Sequence, residues 1–246
     1  MLSLVAEEGF AVPGAGSRGA RRNAGLASAA TEFIAFADAG DDAAPGYFDA
    51  LISAAVSHGA DIAVGSGGDI DEASVSGERV LDAPGALLEH LRGGVFSESL
   101  TGIVLRRRLF EGVSFPENVQ LCDLPVCYKL YAAAGTAVVV GGLIYRRGFT
   151  EPDERDLTAD YIVEHLAAYR EREEFISARF PELRDAARHA EWAYMLSSVE
   201  KITRLGLARC YAPLRYMRNE LKTYKQTFWD SPYTTERERA MMQMYV

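Results

Sequence analysis

The sequence predicts an α/β fold: a mostly parallel, Rossmann-like sheet over residues 1–155, then a helical region over residues 156–246. Three observations predict it. Strand-like and helix-like segments alternate through the first half. One apolar run, Phe33 to Ala37, stops abruptly in the aspartate cluster of "FIAFADAGDD". After about Asp156 the pattern changes to long helix-forming stretches, interrupted by proline only at Pro181, Pro213 and Pro232.

The elements follow in order. "RGARRNAGLASAA" (Arg18 to Ala30) holds helix formers and precedes the buried strand Phe33 to Ala37. Pro45 suits a helix first turn, Phe48, Leu51, Ile52 and Ala55 form one apolar face, and Gly59 is placed to end that helix. "DIAVG" (Asp61 to Gly65) is the next strand, so a parallel pair with Phe33 to Ala37 is expected. Residues Ser66 to Glu78, rich in Gly, Ser and Asp, read as a loop. A short helix is expected from Ala83 to Leu91, a strand in "TGIVLRR", a helix in "DLPVCYKLYAAAG", and one or two strands in "TAVVVGGLIYRR".

Composition narrows the function. At 48% hydrophobic and 25% charged the chain is an ordinary globular protein that can bury a real core. Its net charge of −9 argues against a general nucleic-acid binder, which needs a basic field to displace counterions. The three cysteines, Cys122, Cys127 and Cys210, lack CxxC spacing and read as free thiols in a reducing compartment. The start carries Glu7 and Glu8 rather than a basic region, and the longest uncharged stretch, Leu130 to Tyr145, is too short for a membrane span. A soluble, cytoplasmic protein is expected. His58, His90, His165 and His189 lack ligand spacing and read as surface or helix-end residues.

Charge is unevenly spread. Lys201 to Lys225 holds seven Lys or Arg against Glu220, which leaves −15 for the rest of the chain. As one basic amphipathic helix, this segment could lie on an anionic membrane at the inner face. The favoured reading is a packed helix with a solvated basic face.

A strand ending in carboxylates places them at the carboxyl edge of an α/β sheet, where ligands bind. Two such aspartates can hold Mg²⁺ or Mn²⁺ and bridge to phosphates, although a polar turn after a buried strand is commonplace. The order "SRGARRNAGLASAATEFIAFADAGDDAAPGYFDAL" resembles the core of family 2 glycosyltransferases of the GT-A type, through Arg22, Asn23, Gly25, Asp38, Asp41 and Pro45. "LRRRLFEGVSFPENVQLCDLPVCYKLYAAAGTAVVVGGLIYRRGF" looks like the acceptor side of bacterial members that build capsule, teichoic or similar polymers. Its counterparts are Arg107, Phe110, Phe115, Glu117, Asp123, Tyr145 and Arg146.

The resemblance covers about Gly16 to Phe149 and implies inverting transfer of a sugar from a nucleotide-diphosphate donor to a glycan or lipid-linked acceptor. It assigns Asp123 as catalytic base, Arg22, Asn23, Asp38 and Arg146 to the donor, and Asp38 and Asp41 to Mg²⁺ or Mn²⁺. Asp123, standing just before a helix, also fits an ordinary N-cap.

Three departures accompany the resemblance. Gly40 stands where the family has its middle aspartate, and Cys122 replaces the acidic neighbour of Asp123. The Arg-Asn element arrives by residue 22, so the family's amino-terminal strand–helix units are expected to be missing. An exposed sheet edge would follow, and with it completion by a second copy or by a separate amino-terminal chain. The alternative function is a non-catalytic glycan- or partner-binding protein with a degenerate GT-A fold.

Overall fold

A computed structural model describes residues 2–6, 17–68, 77–148 and 153–246. The chain forms two compact units, Met1–Thr150 and Glu151–Val246.

The first unit is a mixed α/β layer structure. Its strands are β1 (Leu2–Ala6), β2 (Phe33–Ala37), β3 (Asp42–Ala43), β4 (Ile62–Gly68), β5 (Glu78–Leu81), β6 (Ile103–Arg106) and β7 (Ala137–Arg146). Its helices are α1 (Arg18–Ser28), α2 (Tyr47–Ser57), α3 (Ala83–Leu91) and α4 (Leu124–Ala133). The strand order is β1-β2-β6-β4-β7-β3, with β5 also paired to β7. β1, β2, β4 and β7 share one direction, and β6 runs against β2 and β4.

This arrangement corrects the expected parallel pair. β2 and β4 point the same way but never touch, because β6 lies between them and bonds to both. Ahead of the Arg-Asn element the described residues hold one strand, β1, which pairs in parallel with β2 from Leu2↔Phe33 to Ala6↔Ala37. β2 is therefore flanked on both sides, and Phe33, Ile34, Ala35 and Phe36 are all buried, Phe33 and Ala35 in the cluster with α2. The expected loop at 66–78 is shorter, because β4 runs on to Gly68 and β5 begins at Glu78. The rest of that loop lies outside the described residues.

Helix α2 packs its predicted face on the sheet. Leu51 and Ala55 are buried with Phe33, Ala63, Val104 and Val138, while Phe48 and Ile52 are half-buried against the same cluster. Pro45 precedes the helix rather than opening it, since Gly46 takes the N-cap position. At the amino end of β4, Asp61 is buried and accepts from the Gly135 N–H at 2.8 Å, with Arg108 at 2.6 Å and Arg106 at 3.1 Å. This ion cluster ties β4, β6 and the start of β7 together at the edge opposite the aspartate turn.

The second unit is helical: α5 (Ala159–Arg179), α6 (Arg184–Leu205), α7 (Tyr211–Thr223), α8 (Lys225–Asp230) and α9 (Glu236–Tyr245). The expected single basic helix over 201–225 is corrected. Gly206 takes a left-handed φ of 64°, ends α6 after Leu205, and separates Lys201 and Arg204 from the basic residues of α7. Leu214, Met217 and Leu221 of α7 are buried with Trp192, Met195 and Phe228, so this helix spends its apolar stripe on its own unit. No helix among the described residues is long and apolar enough to cross a membrane.

The helix-end reading of the histidines holds for His58, the C-cap of α2, and for His90 in the last turn of α3, and is corrected for His165 and His189, which lie within α5 and α6. His90, His165 and His189 are buried, and His90 Nδ1 donates to the Phe96 carbonyl at 2.8 Å. His189 stacks on Phe228 with centroids 5.2 Å apart and lies 3.4 Å from the Glu238 carboxylate.

Glu238 also closes the capping box of α9, accepting from the Thr235 N–H at 2.7 Å. Burial pushes its carboxyl upward, but His189 and Thr235 outweigh that and hold it below the usual glutamate range. A lowered folded value means stabilisation that is complete above the ordinary glutamate value and lost as pH falls through the depressed one. Glu238→Gln is expected to cost about 1 kcal/mol at neutral pH and to flatten the acid limb of a stability–pH curve measured by urea denaturation.

Candidate functional site

The site is built where β2 runs out of the sheet. Beyond Ala37 the chain turns through Asp38, Ala39 and Gly40 to Asp41. The turn closes on itself: the Asp41 N–H donates to the Asp38 carbonyl at 3.1 Å, and the Asp38 N–H donates to Asp41 Oδ2 at 2.9 Å. Asp41 Oδ2 also accepts from the Tyr145 hydroxyl at 2.6 Å, and Oδ1 accepts from the Gly148 N–H at 2.8 Å. Both oxygens of Asp41 therefore staple the turn to the end of β7. Burial and the bond to Asp41 push the Tyr145 phenol far above its usual range. Tyr47, whose ring centroid lies 5.3 Å from that of Tyr145, donates to the Gly102 carbonyl at 2.8 Å and is pushed up to about 12, chiefly by burial.

Gly40 has a physical reason to stand where the resemblance expects an aspartate. Its φ is +87°, a region that other L-residues rarely enter. A Cβ on the facing Gly148 would lie 2.2 Å from the Gly40 carbonyl carbon, so position 148 has no room for a side chain, whereas at position 40 the backbone angle is the constraint.

Helix α1 delivers the cations. Ser17 caps it by accepting from the Ala20 N–H at 3.1 Å. Gly19, Arg22 and Gly25 form its buried face, and a Cβ on Gly19 would sit 2.0 Å from the Pro116 carbonyl oxygen. That close approach brings Arg18 and Arg22, one turn apart on the same side, onto the aspartate turn. Arg18 pairs with Asp38 Oδ2, and Arg22 lies 3.4 Å from Oδ1. The Arg22 guanidinium lies 4.9 Å from the Phe36 ring centroid and 5.4 Å from that of Phe115, and it pairs with Asp123.

Asp123 occupies the N-cap position of α4 but makes no side-chain cap bond there. Its carboxylate turns instead to Arg22 and to the Leu100 N–H at 3.0 Å. The structure thus brings Asp38, Arg22 and Asp123 into one line, with Arg22 and Asp123 buried, although Asp123 follows Asp38 by 85 positions. Asn23 lies beside the line rather than in it. Its Nδ2 donates to the Phe115 carbonyl at 2.9 Å and to Glu117 at 2.8 Å, and its Oδ1 accepts from the Phe115 N–H at 2.8 Å. It fixes the loop that carries the ring under Arg22. The other side of that loop, with Leu26, Phe110 and Asn118, lines an open cavity of about 700 Å³.

Arg146 is not brought to the cluster. It is exposed and lies 3.5 Å from exposed Asp42, where β7 pairs with β3. Its neighbour Arg147 turns the other way and donates from Nη2 to Ser97 Oγ at 2.9 Å and from Nε to Thr101 Oγ1 at 3.3 Å. Sequence reasoning missed both Arg147 and Arg18. The signals were the strand period of two counted from buried Tyr145, and the four-residue spacing from Arg18 to Arg22.

The expected Mg²⁺ or Mn²⁺ can be tested against this donor set. Asp38 is engaged by two guanidinium groups, Asp41 has both oxygens in hydrogen bonds, and Gly40 supplies no carboxylate. No group of three His, Cys, Asp or Glu side chains among the described residues is arranged to hold a metal ion. The residues as placed do not fit a divalent cation.

No family model matches the sequence, and no curated protein matches it. Solved structures do match the fold. Residues 1–349 of S. aureus TarS in complex with UDP-GlcNAc align at a TM-score of 0.52 and 15% identity, covering 87% of this chain and 73% of that one. The same fragment in complex with UDP gives 0.49 and 17%, covering 87% and 72%. The likeness to the UDP-GlcNAc complex shows a shared GT-A-like fold.

Arg22 is the shared partner of Asp38 and of buried Asp123. Arg22→Ala is expected to destabilise the protein by about 3–5 kcal/mol, because it strands the Asp123 charge away from water while Asp38 keeps Arg18. Urea denaturation of the variant against wild type measures this. A loss below 1 kcal/mol would mean that Asp38 and Asp123 do not depend on it.

Proposed function

We propose that the chain is an inverting glycosyltransferase that moves a sugar from a nucleotide diphosphate to a hydroxyl of a glycan or cell-surface polymer. One observation carries the reading: Arg22 joins Asp38, at the carboxyl edge of the sheet, to Asp123 at the start of α4. A structural N-cap would bond to its own helix, and Asp123 does not. The GT-A-like fold supports the same reading, and the TarS structure solved with UDP-GlcNAc makes a UDP-sugar the first donor to try.

In this reaction the acceptor hydroxyl attacks the anomeric carbon as the bond from that carbon to the β-phosphate oxygen breaks. The hydroxyl proton passes to Asp123, and the departing electron pair leaves on the diphosphate. Arg22 and the Leu100 N–H aim the Asp123 carboxylate as a proton acceptor, and Arg22 with Arg18 orients Asp38 toward the donor. Asp41 acts at one remove, keeping the turn on β7 through Tyr145 and Gly148.

A second reading, a non-catalytic protein that binds a glycan or partner on the same fold, draws on two observations. Gly40 and Cys122 remove two of the carboxylates that the resemblance expects, and Cys122 is buried. Asp123→Asn separates the two readings. For a transferase it is expected to lower sugar transfer by about 10²–10⁴-fold while UDP still raises the melting temperature as in wild type. Wild-type protein that binds a nucleotide sugar yet transfers nothing to any glycan acceptor favours the binding role.

A further inference from the structure

The misfit between the aspartate turn and a divalent ion poses a question that the proposed reaction must answer. A departing nucleoside diphosphate needs positive charge, and the usual source is a metal held by carboxylates. We propose that here guanidinium groups supply it, Arg147 and Arg18 together, so that this chain binds its nucleotide diphosphate without a divalent cation. The inference rests on the nucleotide-sugar reading given above.

The two arginines are suited by what holds them. Arg22 is buried between two aspartates and is committed to them. Arg18 touches the same Asp38 and keeps about a third of its side chain exposed. Arg147 is exposed, and among the described residues its hydrogen bonds go to the neutral hydroxyls of Ser97 and Thr101. No carboxylate among the described residues lies within ion-pair distance of it. Three arginines, Arg18, Arg22 and Arg147, stand among three aspartates, Asp38, Asp41 and Asp123, and Arg147 is the one of the three that bonds to neutral hydroxyls instead of a carboxylate.

Placement makes Arg147 part of this cluster rather than a stray surface charge. The residue after it, Gly148, donates its N–H to Asp41. The two hydroxyls that receive its guanidinium flank Leu100, whose N–H holds Asp123. Thr101 in turn bridges to Phe36, two residues before Asp38. The backbone of this segment is thus bonded to Asp41 of the turn, and its side chain to the stretch whose Leu100 N–H holds Asp123. With Nε and one Nη2 hydrogen used, the Nη1 edge remains for phosphate oxygens, which planar guanidinium donors grip in pairs.

Isothermal titration calorimetry of the full chain with UDP, GDP and CDP, each in EDTA and each with Mn²⁺, tests the inference. At least one diphosphate is expected to bind in EDTA with an affinity that Mn²⁺ changes less than twofold. Arg147→Gln is expected to weaken that binding by about tenfold to a hundredfold, and Arg147→Lys to restore part of it. The corresponding monophosphate should lose less than the diphosphate, a contrast that a general loss of folding cannot produce. Arg18→Gln should weaken the diphosphate in the same direction.

Binding that appears only with Mn²⁺ overturns the inference and leaves the nucleotide-sugar reading standing, because the ion would then have displaced Arg18 from Asp38. Diphosphate binding in EDTA that Arg147→Gln leaves unchanged also overturns it. Absence of binding by every nucleotide under both conditions overturns the inference and the proposed function together.

Discussion

The molecule's candidate chemistry hangs on one buried cation. Arg22 enters the protein on a helix whose neighbouring buried positions are glycines, and it ends between carboxylates contributed by β2 and by the start of α4. Taking an ion from water into a protein interior costs several kcal/mol, so such a group persists only where its partners are fixed in advance. The fixing is visible. Phe36 and Phe115 wall the guanidinium, Asn23 holds the Phe115 loop, the Leu100 N–H fixes Asp123, and Asp41 holds the turn that presents Asp38. Each contact is ordinary by itself, and their convergence on one side chain is what defines a site.

Asp61 offers a useful contrast within the same sheet. It too is buried and paired with arginines, Arg106 and Arg108, but at the amino edge of the strands. Its second oxygen closes on the Gly135 backbone, so the group joins a helix end to two strands and faces nothing else. The two ion clusters differ less in burial than in position. One stands where the strands begin and braces the sheet, and the other stands where the main strands end, with an exposed arginine beside it.

Much of this was legible in the chain. The alternation of apolar runs placed β2, α2, α3, β6 and α4 closely, because each depends on local periodicity and on end signals such as Gly59. Strand neighbours were not legible, because the insertion of β6 between β2 and β4 is a long-range pairing that no local pattern encodes. The missed strand β5 has an edge-like "ERVL" pattern whose burial is incomplete, so its periodicity is weak. Site residues divided along the same line. Asp38 and Asp123 stand at element ends, where chemistry is expected, whereas the pairing of Arg18 with Asp38 needs α1 to lie close to the turn. That closeness depends on Gly19 touching Pro116, a contact between positions 97 apart. The basic segment of 201–225 misled for another reason. Its charge was continuous, but Gly206 in the middle had more influence on the backbone than the charges around it.

The meeting of Gly40 and Gly148 makes the turn harder to alter from one side than from the other. A Cβ at position 148 would run into the Gly40 backbone at 2.2 Å, whereas a Cβ at position 40 would meet Gly148 at 3.6 Å, an ordinary contact. What a side chain at position 40 would face is the left-handed φ of 87°. Position 148, whose N–H holds Asp41, is closed to any side chain, so a further carboxylate in this pair would have to enter at position 40 and bear that backbone strain.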